Sequence, residues 1–467
     1  MTVNPRVRAV LSLGALAPAV PLENSLAAVA ADPAGAAALL RRHKVLQLAA
    51  SRFEDAPGAA AATLREALSG SVAAARERTA ASTAVLGVLA DVGASAGFPV
   101  AGMKGVAART WYPDPGVRDI TDVDAWVADA EESVRVQERL RAGYGYRFAS
   151  FELPWFKRDA DGRLYGVLML EPTRDDLTYV DVHFGAYSVR HCTSFVPALA
   201  RHVPGSPVPL LADEDNLCCT VANAAGDHFV DMKTLNDLYL CLARPDFDWA
   251  RVRRTLGSVG LLGSLNVMLG RLAELYAIDE TVRAGLDAVS AAGALPREPA
   301  PHLEKKVWRR RTSVTVRHAY GIGRRASLTR AVKIASSAYR YYRRPLRPAL
   351  AGTGRGSRPF RLEVNPWTCV RLIPAGMVAR LLDEDGAGDA EQVTGEAAEQ
   401  ITEKVAATVP RYDLAPGITV ISTAAGDLVT LSGEPFLPTV MYRIDPRHAG
   451  AVVELARQTT TKSHDGA

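Results

Sequence analysis

Residues 305–362 contain no aspartate or glutamate, yet 17 lysines and arginines fall there. The rest of the chain therefore carries a net −13 (the overall +4 less these 17), so the basic charge is local. The run also holds Trp308, Tyr320, Tyr339, Tyr341 and Tyr342. It fits an acidic peptide, a partner enzyme or the acidic remainder of the protein. Nucleic acid is not the expected partner, because most such runs are solvated faces. Cysteine is scarce too. Cys192, Cys218, Cys219, Cys241 and Cys369 form no CxxC pair, which argues against structural zinc and fits reduced thiols. No run approaches the roughly 20 continuous apolar residues of a membrane helix. The apolar residues 9–20 follow Arg6 and Arg8, but Pro18 and Pro21 spoil a signal peptide. A cytoplasmic protein without a membrane partner is expected.

At 467 residues, 48% hydrophobic and 23% charged, the chain is globular and long enough for several domains. Residues 1–95 show helical spacing, as in Ala36, Leu39, Leu40, Val45 and Leu46. Residues 96–205 mix strand and helix patterns, with strands expected at 123–127, 146–153, 165–170 and 179–184 and a helix at 131–142. Helical periodicity returns over 206–350, ending in the basic segment 305–350. A Gly/Ser/Arg linker spans 351–359. Residues 360–458 read as a small α+β domain. Strands are expected near 360–372, 418–432 and 437–444, and helices near 377–382, 390–408 and 449–456. Residues 459–467 read as a disordered tail.

The chemistry centres on three aspartates. In a strand over 122–127, side chains two apart share a face, so Asp122 and Asp124 point the same way. Two carboxylates so close repel unless a cation lies between them, and a divalent ion is the natural occupant. Asp181 and His183 share a face in the later strand by the same arithmetic. A third carboxylate beside an Asp-x-Asp pair suits two-metal phosphoryl chemistry, with Asp181 as general base or bridging ligand. Arg118 either contacts phosphate or pairs with a nearby aspartate. Lys233 and Asp237, four apart, suit a helix salt bridge, and His183 and His228 suit structural roles.

The ordered set Lys104-Gly105, Tyr112-Pro113, Arg118 and Asp122-Val-Asp124 resembles the signature of an uncharacterised nucleotidyltransferase family related to DNA polymerase β. Asp181-Val-His183 resembles that family's later Asp-x-His strand. The helices with His228, Lys233 and Asp237 resemble its helical tail. The match covers roughly residues 25–345 and leaves the last domain outside. The resemblance implies an α/β (α+β) nucleotidyltransferase core with extensive flanking helices. It also implies two Mg²⁺ ions on Asp122, Asp124 and Asp181, and an NTP whose phosphates meet Lys104, Gly105, Arg118 and Lys233. The acceptor would be a hydroxyl of a small molecule, peptide or protein, and peptide natural-product biosynthesis is one setting the resemblance suggests. Characterised members of the superfamily have Gly-Ser where this chain has Lys104-Gly105. That departure leaves a second reading: a non-catalytic peptide-recognition scaffold that serves other enzymes through residues 360–458 or the basic segment.

Overall fold

The computed structural model describes residues 3–150, 152–198, 202–297, 308–324, 327–343, 347–350, 359–384 and 411–464. The N-terminal helices are α1 (Pro5–Ser12), α2 (Leu22–Ala30), α3 (Pro33–Arg42), α4 (Leu46–Phe53) and α5 (Ala59–Ala96). Asp32 caps α3 by accepting the Gly35 amide, and α5 ends on Gly97 in the left-handed region. By length and composition the 38-residue α5 could cross a membrane, with a mean hydropathy of 1.3 in its most apolar window. Its apolar row nevertheless serves two cores: Leu64, Leu68 and Val72 pack in the helical bundle, and Val85, Leu86 and Leu89 pack under the sheet. Arg65, Glu66, Arg76 and Glu77 lie on its other sides.

The sheet begins with β1 (Ala101–Gly102), followed by the single turn α6 (Gly105–Ala108). Next come β2 (Val123–Val127), α7 (Ala130–Gly143), β3 (Tyr146–Phe148), β4 (Trp155–Arg158), β5 (Leu164–Pro172) and β6 (Val180–Phe184). β2 and β6 run parallel and the other pairings are antiparallel. Val123, Ala125, Val127, Val180, Val182 and Phe184 face the core with Val134 and Leu140 of α7. The polar alternates occupy the opposite face. A short hairpin, β7 (Tyr187–Val189) and β8 (Thr193–Phe195), leads to the helices α8 (Asp213–Asp227), α9 (Met232–Leu242), α10 (Trp249–Ser258), α11 (Leu262–Leu275) and α12 (Glu280–Ser290). These pack with α1 to α4 in the largest core cluster.

The basic segment forms two packed helices, α13 (Trp308–Arg324) and α14 (Leu328–Arg343). Ser327 caps the second by accepting the Arg330 amide, so the expected continuous stretch is a hairpin. After β9 (Ala349–Leu350) come β10 (Val370–Pro374), α15 (Ala375–Glu384), β11 (Arg411–Ala415), β12 (Ile418–Ser422), β13 (Asp427–Leu431), β14 (Glu434–Thr439), β15 (Arg443–Ile444) and α16 (Pro446–His464). The expected helix at 390–408 and nearly all of the linker at 351–359 lie outside the described residues.

Three expectations need correction. Residues 360–458 do not stand apart, because β10 pairs with β4 through Val370↔Phe156 and Arg371↔Trp155. One eleven-stranded sheet thus runs β1-β2-β6-β5-β4-β10-β14-β13-β12-β11, with β3 attached to β5. Joining here satisfies the open edge of β4. The tail expected to be disordered from 459 continues α16 as far as His464. Of the expected strand at 360–372, only Val370–Pro374 forms, together with an isolated bridge from Phe360 to Gly426.

Candidate active site

The parallel register of β2 and β6 sets Asp124 opposite Asp181 and Trp126 opposite His183. Residues paired in this way project from the same face, so strands distant in sequence bring their acidic side chains together. The ligand atoms of Asp124, Asp181 and His183 all lie within 4.8 Å of one another. Asp122 sits just before β2 on the same side, where the Thr121 hydroxyl donates to its Oδ1 at 2.7 Å.

Lys104 enters from the turn between β1 and α6. Its Nζ donates to Asp124 Oδ1 at 2.7 Å, lies 3.2 Å from His183 Nε2, and stands 5.5 Å from the centre of the Tyr187 ring. That ring stacks on His183, with ring centres 5.5 Å apart. His183 Nε2 is also 3.1 Å from Asp124 Oδ1. A neutral imidazole serves only one of these partners at a time: it accepts from Lys104 or donates to Asp124.

The backbone that delivers Lys104 is strained, with φ 48° and ψ −116° at a residue with a full side chain. Asn216 of α8 holds it there. Its Oδ1 accepts the Lys104 amide at 2.5 Å, and its Nδ2 donates to the Lys104 carbonyl at 3.1 Å. The next residue has a separate steric reason. A Cβ on Gly105 would lie 2.8 Å from Arg118 Nη1, so only glycine lets that guanidinium pass.

Arg118, expected to contact phosphate or to pair with a nearby aspartate, pairs with Asp237, which was expected to bridge to Lys233. Arg118 donates through Nε and Nη2 to the two oxygens of Asp237 at 2.9 and 2.6 Å, and Tyr112 Oη donates to Oδ1 at 2.9 Å. Both side chains are buried. This bidentate pair ties the loop before β2 to helix α9. It does not involve Asp119 or Asp122. Lys233 stands apart from Asp237, half-buried at the start of α9 and electrostatically close to Lys44, Arg118 and Asp122.

Charge in the cluster is divided unevenly. Burial pulls the Lys104 ammonium down, but Asp124, Tyr187 and Asp181 outweigh it and hold the group well above its ordinary range. Burial raises Asp124, yet Lys104 and His183 more than offset this and keep it ionised far below the usual carboxylate range. For Asp181 the pull of Lys104 is too weak to do the same. Burial, then Asp124 and Asp122, push its carboxyl well above the ordinary value. Burial and Lys104 lower His183 to about 4. Burial, Lys44 and Arg118 bring Lys233 down to about 8.

Two carboxylates and a neutral imidazole within a single ion's reach make a donor set suited to a divalent cation. Lys104 lies against one of those oxygens. Its side chain is 18% exposed, and an ion bound there would have to displace it from Asp124. The residues therefore fit a metal at Asp124, Asp181 and His183, with Asp122 adjacent. His183 stands among the candidate ligands, although sequence reasoning favoured a structural role for it.

A family model described as an uncharacterised nucleotidyltransferase matches residues 30–277, just over half of the chain. The chain belongs to this family. None of the curated proteins matches it. The matched part of this nucleotidyltransferase-family chain ends before the basic hairpin and β10, short of the expected span of 25–345.

Three neighbours of the site escaped the sequence reading. Asn216 is a buried amide in a helix, a signal open to many structural explanations. Tyr187 follows β6 by three residues and reads as core. Glu152 belongs to a segment expected as strand. Partial burial and Asp122 push its carboxyl up, while Arg371 of β10 pulls the other way. The C-terminal strands thus bring a cation close to the acidic cluster.

Metal affinity should depend on pH through Asp181. A metal requires this carboxylate without its proton, and its raised value keeps the proton bound above the ordinary carboxylate range. His183 is already neutral above pH of about 4, so it adds no slope at higher pH. Mn²⁺ titrations followed by electron paramagnetic resonance should show affinity rising about tenfold per pH unit until Asp181 has titrated. Asp181→Asn should flatten that rise. A wild-type affinity independent of pH would rule out Asp181 as a ligand.

Proposed function

We propose that the chain transfers a nucleotidyl group from an NTP to a hydroxyl of a small molecule, peptide or protein, with divalent-metal dependence. The observation carrying this reading is the register Asp124↔Asp181, which gathers two carboxylates and His183 from separate strands in a nucleotidyltransferase-family chain. In the reaction, the acceptor oxygen bonds to the α-phosphorus. The bond from that phosphorus to the α,β-bridging oxygen breaks, and pyrophosphate leaves with the electron pair.

Asp181 is the group suited to take the hydroxyl proton. Burial beside Asp122 and Asp124 makes it a stronger base than Asp124. A divalent ion, when bound, supplies positive charge that lowers the cost of bringing phosphates to this acidic face. Lys104 keeps its charge at all physiological pH values and can follow a phosphate once it leaves Asp124. Lys233 supplies a second cation.

The Lys104–Asp124 contact also supports a second reading, in which an internal ammonium replaces the metal permanently and the chain recognises a peptide for other enzymes. One experiment separates the two. The full chain is incubated with each α-labelled NTP and Mg²⁺ or Mn²⁺, with and without hydroxyl-bearing peptides. Metal-dependent release of pyrophosphate with label on the acceptor is expected. Peptide binding with no turnover of any NTP would overturn transfer in favour of the scaffold.

A further inference from the structure

A cavity of about 370 Å³ opens between the α3–α4 turn, the middle of α5 and the loop before β2. That volume is at the small end for a small-molecule site. Its charged lining is Arg41, Lys44, Arg78 and a single acid, Asp119. Asp119 already uses both oxygens: Oδ2 accepts the Leu46 amide at 2.9 Å and Oδ1 accepts the Gln47 amide at 3.2 Å, at the start of α4. Among the described residues, neither Arg41 nor Arg78 forms an ion pair.

The basic rim is built into the fold. Buried His43 fixes the turn that carries Lys44, since its Nδ1 accepts the Met232 amide at 3.1 Å and its carbonyl accepts the Lys233 amide at 3.4 Å. Lys44 itself sits in the left-handed region at φ 53°. This docking sets Lys44 and Lys233 close together, with Asp231 and Asp122 as the nearby acids. Like charges held together by packing attract a multiply charged anion. Thr121 lines the cavity and its hydroxyl donates to Asp122, the next residue in the chain, so the rim adjoins that carboxylate.

We propose that this cavity is a polyphosphate-binding site in which Arg41, Lys44 and Arg78 hold a phosphate-bearing ligand next to Asp122. Two guanidinium forks and an ammonium match phosphate oxygens, and a single carboxylate would leave most of that charge unanswered. The N-terminal helices thereby do more than brace the core: they contribute a substrate subsite. The transfer reading above bears only on which molecule carries the phosphates, the nucleotide or a phosphorylated acceptor.

Isothermal titration of the full chain with inorganic tripolyphosphate in EDTA tests the site without the metal or catalysis. Wild type should bind, and Arg41→Ala/Arg78→Ala should weaken binding at least tenfold. Gly70→Glu should do the same by adding a carboxylate at the rim, where a side chain meets nothing within 4 Å. Arg76→Ala, which removes the partner of Glu54 on the neighbouring surface, should change nothing. Asp124→Asn should also leave this binding intact, so a failed transfer reaction does not count against the site. ATP bound more tightly than a phosphoserine peptide identifies the nucleotide as the source, and the reverse order identifies the acceptor. Wild type that fails to bind tripolyphosphate, or binding that the double and Gly70 variants both leave unchanged, overturns the proposal.

Discussion

Asp124→Asn should slow nucleotidyl transfer roughly a thousandfold while the protein stays folded. In the proposed transfer, several kcal/mol of charge stabilisation at the reacting phosphate would depend on the ion this carboxylate would help to hold, and each 1.4 kcal/mol is a factor of ten. Asparagine keeps the shape but loses the charge. It also frees Lys104 from its partner at 2.7 Å, and that ammonium can reach water because its side chain is 18% exposed. The melting temperature should therefore move little. Steady-state rates, Mn²⁺ binding and thermal melting on the same preparation decide the matter. A variant within tenfold of wild type would remove Asp124 from the ligand set.

The companion substitution Lys104→Met sharpens the reading. If ion and ammonium compete for Asp124, methionine should tighten Mn²⁺ binding even as it removes a phosphate contact. If the pair is a fixed structural bridge, methionine should leave an unpaired buried carboxylate and lower the stability. The two outcomes point in opposite directions, so one titration and one melt distinguish a metal site from a degenerate one.

Local periodicity made much of this site legible. Asp122 and Asp124 two apart, and Asp181 two before His183, announce shared faces in any strand, and both segments are strands where expected. What brings Asp124, Asp181 and His183 within 4.8 Å of one another is the parallel pairing of β2 with β6, and no local pattern states which strands pair. The same gap explains the last domain. Residues 418–431 read as strand and form β12 and β13, but the edge that β10 completes, β4, lies more than 200 residues earlier and was not expected as a separate strand. Arg118 shows a different limit. An arginine before an acidic strand suits a phosphate equally well in sequence, and its partner lies 119 positions away on α9.

That partner makes the largest stability prediction. Arg118 and Asp237 are 3% and 0% exposed at the side chain, joined by two hydrogen bonds, with Tyr112 donating to the same carboxylate. Removing one member of such a pair leaves the other charged in the core, which typically costs about 3–5 kcal/mol. Asp237→Asn should therefore lower the stability in urea by about that amount. The loop before β2 should loosen with it, because Arg118 leads directly into Thr121 and Asp122. Replacing both, as Arg118→Met/Asp237→Leu, should cost much less than the two single losses together, since no charge remains stranded. Gly105 supplies an independent check. Gly105→Ala sets a methyl 2.8 Å from Arg118 Nη1, so it should destabilise the wild type. The penalty should shrink in the Arg118→Met background, where a flexible thioether takes the place of the rigid guanidinium fork. If Asp237→Asn instead keeps full stability and raises the KM for the NTP, Arg118 acts on phosphate, and its bond to Asp237 merely aims it.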